Sequence, residues 1–152
     1  MIKVLIVEDD PMVALINKRY LEQIGDMEVV DTVMCEEDVI EVLKNKEVDL
    51  ILLDVFLPEK SGMEILESIR KLSFYQDVIM ITAANSFKEL QEALAFGVID
   101  YLIKPFDFKR FEIAINKFKY KRNIMSTNEK FTQEELDHLF TNTIEKDYEI
   151  LP

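Results

Sequence analysis

The sequence predicts an α/β protein built as a doubly wound, five-stranded parallel sheet with helices on both faces, and three observations predict it. Five short runs rich in β-branched residues alternate with amphipathic stretches from residue 2 to about residue 122, the pattern of βα units around a parallel sheet. Three of those runs, at 2–7, 50–53 and 78–81, are near-continuous Ile, Val, Leu and Met, as strands buried on both faces must be. The chain has 152 residues, enough for one core that buries roughly two-thirds of the surface its unfolded form would expose.

The elements follow in order. After the first strand, Asp10 and Pro11 form an N-cap and N1 pair. They open a helix whose apolar positions Val13, Ile16, Tyr20 and Ile24 keep helical spacing, and Gly25 is suited to end it. The second strand is expected at 28–33 and the fifth at 101–103, with further helices at about 36–45, 62–72, 86–96 and 107–122. The last helix places Phe108, Phe111, Ile115 and Phe118 on one stripe, read first as core. The apolar repeat continues to Met125, which leaves a second role at a homodimer interface open. From 123 to 130 the chain is polar apart from Ile124 and Met125, and Thr132-Gln133-Glu134-Glu135 then spells a capping box for a short helix over about 133–140. Residues 141–148 are too polar to build a core, and the chain stops at Leu151-Pro152. Residues 1–122 are therefore read as the folded domain and 123–152 as a linker carrying a C-terminal helix.

Charge and composition exclude several classes. Thirty acidic residues against 18 basic give a net charge of −12, which opposes extended contact with a polyanion such as DNA. The basic run at 117–122 reads as the solvated face and last turn of a helix. The single Cys35 excludes an internal disulfide, and no Cys/His set has zinc-like spacing. Met1 leads directly into a strand pattern, and no apolar run approaches membrane-spanning length. A reduced cytoplasmic protein without membrane contact is the expectation.

Four of the apolar runs end in residues suited to phosphate chemistry. They are Glu8-Asp9-Asp10, Asp54, Thr82 and Lys104-Pro105. In an open α/β sheet, ligands bind in the crevice outside the carboxyl ends of the strands, so these residues should converge. Taken singly, each has a plain structural reading: Asp54 as a turn residue, the acidic triplet as a helix cap, Thr82 as a cap and Lys104 as a surface lysine. Taken together they exceed what capping requires. Carboxylates held close repel one another unless a cation sits among them, and magnesium, which prefers oxygen ligands and keeps waters, matches the inventory. Such a set can accept a phosphoryl group on Asp54, with Lys104 and the metal supplying positive charge.

These residues resemble the receiver domain of a bacterial two-component response regulator. The matching segments are residues 4–11, Leu52-Leu53-Asp54 with Pro58 and Gly62, Ile81-Thr82-Ala83 and residues 100–106. The resemblance implies a flavodoxin-like strand order 2-1-3-4-5, with Asp54 as phosphoacceptor from a sensor histidine kinase. It also implies Mg2+ held by Glu8, Asp9, Asp54 and the main-chain carbonyl of Phe56, with Asp9 a direct ligand and Asp10 the helix cap. Thr82 would meet a phosphoryl oxygen, Lys104 would pair with the phosphate, Tyr101 would swing inward with Thr82, and the Lys104-Pro105 bond would be cis. Such a domain is a phosphoacceptor and switch, not an enzyme with turnover. A narrower similarity, carried by residues 13–20, 97–106, Arg110-Phe111 and the tail from Gln133, is to the citrate- and C4-dicarboxylate-responsive regulators. Those are transcription factors with a C-terminal helix-turn-helix domain, so the chain is read as receiver plus linker, reaching DNA only through a domain it lacks.

The residues two past Asp54 and two past Thr82 are Phe56 and Ala84, neither able to orient an attacking water. Slow self-dephosphorylation is the expectation. Three other readings compete. An aspartyl-phosphate phosphatase would need Asp where Glu8 stands. A flavin module would want glycines and hydroxyls, not acids, after the first strand. A stand-alone receiver, signalling by protein contact, fits poorly with the tail beyond residue 122.

Overall fold

The computed structural model describes residues 1–83, 86–127 and 130–139. Five parallel strands, β1 (Ile2–Val7), β2 (Met27–Val33), β3 (Leu50–Asp54), β4 (Asp77–Thr82) and β5 (Asp100–Ile103), form one sheet in the order β2-β1-β3-β4-β5. Between and after them run α1 (Pro11–Ile24), α2 (Glu36–Asn45), α3 (Gly62–Lys71), α4 (Phe87–Ala95) and α5 (Phe108–Thr127). The doubly wound architecture is the one the alternation of runs and stretches predicts, and the strand order is the flavodoxin-like one that the resemblance implies. Two compact units are present, Met1–Ala114, which holds the whole sheet, and Ile115–Pro152.

The sheet is covered on both faces because its central strands offer apolar side chains both ways. Leu5 and Val7, Ile51 and Leu53, and Val78 and Met80 share one buried cluster with Val39 and Val42 of α2 and Ile65, Leu66 and Ile69 of α3. Their alternate neighbours Val4, Ile6, Leu50, Leu52, Ile79 and Ile81 are buried as well. On α1, Ala14 and Leu21 are buried. Tyr20 of α1 sets its ring 5.4 Å from Phe108 and 5.3 Å from Phe111.

Local signals end and start the helices. The Asp10 carboxylate accepts from the Met12 amide at 2.9 Å and Pro11 occupies the first turn of α1. Gly25, at φ +86°, closes that helix by donating its N–H to the Leu21 carbonyl. The Ser61 hydroxyl accepts from the Glu64 amide at 3.2 Å to cap α3. At the start of the same helix, a Cβ on Gly62 would overlap the Asp54 carbonyl oxygen.

Strand bounds differ from the sequence reading by a single residue, at the ends where hydrogen bonding outlasts the apolar run. The larger difference is α5, which continues to Thr127 instead of stopping near 122. No Gly or Pro occurs between 108 and 127, so nothing interrupts the backbone hydrogen bonds where the composition turns polar. Residues 133–139 are helical. The Thr132 hydroxyl accepts from the Glu135 amide and the Glu135 carboxylate accepts from the Thr132 amide, both at 3.1 Å, which is the capping box read from the sequence. Phe140 and the expected polar tail from 141 lie outside the described residues. Among the described residues no helix is long and apolar enough to cross a membrane.

The turn after β3 yields a test. Gly62→Ala forces the Asp54–Val55 main chain away from the start of α3, so thermal denaturation should show a loss of about 1–3 kcal/mol, the range of overpacked sites.

Candidate functional site

Parallel register brings the strand ends to one edge. Val7 pairs with Leu53, so Glu8 and Asp54 emerge side by side. Asp54 pairs with Ile81 and Thr82 with Ile103, which sets Thr82 and Lys104 one step further along the same edge. The strand order reverses between β1 and β3, and that reversal opens the crevice in which Glu8 and Asp54 meet.

Carboxylate oxygens of Glu8, Asp9 and Asp54 lie within 4.8 Å of one another. Glu8 and Asp54 are each only 4% exposed, whereas Asp9 faces solvent. Lys104 Nζ bridges the two buried acids, 3.1 Å from Glu8 Oε1 and 3.3 Å from Asp54 Oδ2. The other oxygens are held by the main chain: the Asp10 amide donates to Glu8 Oε2 and the Phe56 amide to Asp54 Oδ1, both at 3.2 Å. Asp10 is thus the helix cap, not a member of the acid group.

Burial, with the neighbouring Asp54 carboxylate, pushes the Glu8 carboxyl up to about 7, against the pull of Lys104 and the Asp10 amide. The Lys104 ammonium is opposed by burial, but its bond to Glu8 and the charges of Asp54 and Glu8 outweigh that and raise it above the ordinary lysine range. One cation against two buried carboxylates leaves negative charge to be balanced. The donor set is all oxygen, with no thiolate or imidazole, and therefore suits a hard divalent ion such as Mg2+.

The remaining predicted residues stand around this group. Thr82 is fully buried at the end of β4, and the Lys104 amide donates to its carbonyl at 2.7 Å. The Tyr101 ring packs against the core, and its hydroxyl donates to Glu89 Oε2 of α4 at 3.4 Å. The Lys104–Pro105 peptide bond is cis. The Phe56 ring is half exposed, and Ala84 lies outside the described residues.

Two residues were invisible to sequence reasoning. Glu89 has capping-box spacing from Ser86, whose hydroxyl accepts the Glu89 amide at 3.5 Å; that spacing signals a first turn but not a contact with Tyr101. Arg70 donates to the carbonyls of Phe96, Phe74 and Gln76 at 3.1, 2.9 and 2.9 Å. A lone arginine near a helix end gives no sequence signal for such a role.

An open parallel sheet whose chemistry sits at the strand-order reversal defines a class of α/β domain that acts through its strand ends. Within that class the chain belongs to the response regulator receiver domain family, whose sequence profile matches residues 4–116. It is 42% identical over 137 residues to the transcriptional regulatory protein MalR of Bacillus subtilis, covering 90% of this chain and 58% of that protein. To a protein named as a probable C4-dicarboxylate response regulator, DctR of Priestia megaterium, it is 32% identical over 149 residues, covering 98% of this chain and 65% of that one. The chain thus spans about three-fifths of the length of these relatives. The crystal structure of a CheY-like response regulator receiver domain protein from Methanospirillum hungatei superposes with a TM-score of 0.71 at 27% identity, covering 81% of this chain and 98% of that one.

The raised Glu8 carboxyl has a consequence for stability. A group whose folded pKa exceeds its unfolded value stabilises the fold at low pH and loses that contribution as pH rises through the folded pKa. In metal-free buffer, wild type should therefore lose stability between about pH 4.5 and 7 relative to Glu8→Gln, by on the order of 1–3 kcal/mol. Urea denaturation of both proteins across that range, with EDTA present, checks the sign.

Proposed function

We propose that this chain is the phosphoacceptor switch of a two-component response regulator, taking a phosphoryl group on Asp54 from a sensor histidine kinase. The observation that supports this best is the meeting of Glu8, Asp9, Asp54 and Lys104 at the strand-order reversal, with two carboxylates buried against one ammonium. An Asp54 oxygen attacks the phosphorus of a phosphohistidine, the P–N bond breaks, and the imidazole leaves with a proton. Phosphoryl transfer of this kind needs positioning and charge neutralisation more than covalent help. Glu8, Asp9, Asp54 and the Phe56 main-chain carbonyl would hold Mg2+, which supplies positive charge for the phosphoryl oxygens. Lys104, already against Asp54 Oδ2, pairs with the incoming phosphate, and Thr82 donates its hydroxyl to another phosphoryl oxygen. Tyr101 reports the change at the outer part of β5.

The wider reading extends this. Residues 1–122 act as the receiver and 123–152 as the linker to a helix-turn-helix domain beyond this chain, which alone contacts DNA. The active form is a homodimer in the cytoplasm, without membrane contact. The stimulus class is a C4-dicarboxylate, which the name of the DctR relative supports, or citrate, which rests on the sequence resemblance alone. The chain has no turnover of its own beyond self-phosphorylation from small donors and slow self-dephosphorylation.

Incubation with acetyl phosphate and Mg2+ should add one phosphoryl group by mass, and the adduct should vanish with EDTA or in Asp54→Ala. No adduct in wild type sinks the proposal. The lifetime of that adduct tests Phe56 separately. Phe56→Asn, which can orient a water, should shorten it about tenfold, a change of roughly 1.4 kcal/mol in the barrier. An unchanged lifetime removes the idea that Phe56 shields the acyl phosphate.

A further inference from the structure

The loop that joins β3 to α3, residues 55–61, carries the Phe56 carbonyl read above as a ligand to the metal. Main chain fixes its two ends: the Val55 amide donates to the Ile81 carbonyl at 3.0 Å, and the Gly62 amide donates back to the Val55 carbonyl at 2.7 Å. Leu57 packs against the buried cluster, while Pro58, Glu59 and Lys60 are exposed. Side-chain ties come from opposite directions. From inside, Asp54 Oδ1 accepts the Phe56 amide at 3.2 Å. From outside, Glu36 Oε2 accepts Lys60 Nζ at 2.6 Å, across 24 positions of chain.

The inner tie uses an oxygen of the reacting group, which metal and phosphorus claim in turn. The outer tie uses no reacting atom. Glu36 is the first residue of α2, and its side chain is only 12% exposed against 47% for Lys60, so the carboxylate has little water to turn to. Their separation is short even for a charge-assisted hydrogen bond. The Lys71–Glu67 pair on α3, at 3.2 Å and open to solvent on both sides, is the ordinary surface kind that contributes little. Cys35 gives α2 no side-chain cap, and the uncapped helix N-terminus favours the ionised form of Glu36. We propose that Lys60 and Glu36 are positioning residues for the metal: their ion pair fastens the outer half of the loop to α2 and keeps the Phe56 carbonyl in place for the cation. This rests on reading Phe56 as a ligand to Mg2+. A loop released from that tie spends less time in the binding position, and apparent affinity falls by the same fraction.

The sign of one substitution separates positioning from simple electrostatics. Through space, loss of the Lys60 charge can only favour a divalent cation at the acid group, whereas loss of the tie weakens its binding. Mn2+ binding to the 152-residue chain, followed by the EPR signal of the free ion, reads the difference. Lys60→Met should weaken Mn2+ binding about tenfold, the lower end of losses for residues that support metal ligands. Lys60→Arg, which keeps the ion pair, should bind as wild type does. In a Glu36→Gln background, where the pair is already broken, Lys60→Met should bring no further loss. Because Lys60 is half exposed, thermal denaturation of the single variant should stay close to wild type. Unchanged or tighter Mn2+ binding in Lys60→Met overturns the proposal, and so does a loss of the same size in the Glu36→Gln background. A wild type that binds no Mn2+, or binds it no better than Asp54→Ala, is a different failure: it removes the metal reading itself, and the positioning role with it.

Discussion

Everything at the functional edge depends on the parallel register of β1 with β3. Because Val7 lies opposite Leu53, the next residues outward, Glu8 and Asp54, are carboxylates forced side by side in a buried crevice. Such a placement is unfavourable by itself, and the structure answers it with Lys104 delivered from β5, two strands away from Asp54. A shift of one residue in that register would send Leu53 to the opposite face of the sheet and Asp54 to the side of the apolar cluster, so that Glu8 and Asp54 would no longer emerge together. The continuous apolar character of β1, β3 and β4 therefore does more than fill the core; it fixes the alignment that creates the site.

The electrostatics follow from that placement. Glu8 is raised chiefly because it is buried, and the neighbouring carboxylate adds to the effect. The cluster is an excess of negative charge that a divalent cation can rebalance, and its oxygen-only character narrows the choice of cation.

Much of this was legible in the chain itself. The alternation of apolar runs with amphipathic stretches carried the fold class, and Asp10-Pro11 and Gly25 marked both ends of α1 because capping chemistry is local. The strand-end residues could be nominated because the carboxyl ends of parallel strands face one crevice. What escaped was non-local or depended on an absent stop signal. The length of α5 was underestimated because a polar composition suggests a linker, while nothing at 123–127 interrupts the backbone hydrogen bonds of the helix. Arg70 and Glu89 escaped because a side chain that binds distant carbonyls, or a distant tyrosine, leaves no periodicity to read.

The close approach of Gly62 to the Asp54 carbonyl reaches beyond local packing. It means that the loop carrying Phe56 is a closed strap whose return point is fixed by main chain against main chain, with the Gly62 amide donating to Val55 at 2.7 Å. Variation in related sequences should then be uneven along this strap. The exposed Phe56 side chain is free to vary and to tune how long a modified Asp54 persists, whereas Leu57 packs against the core, Lys60 pairs with Glu36, and a side chain at 62 requires the main chain to shift. The strap joins an adjustable exposed surface to a return point held by main chain within a handful of residues.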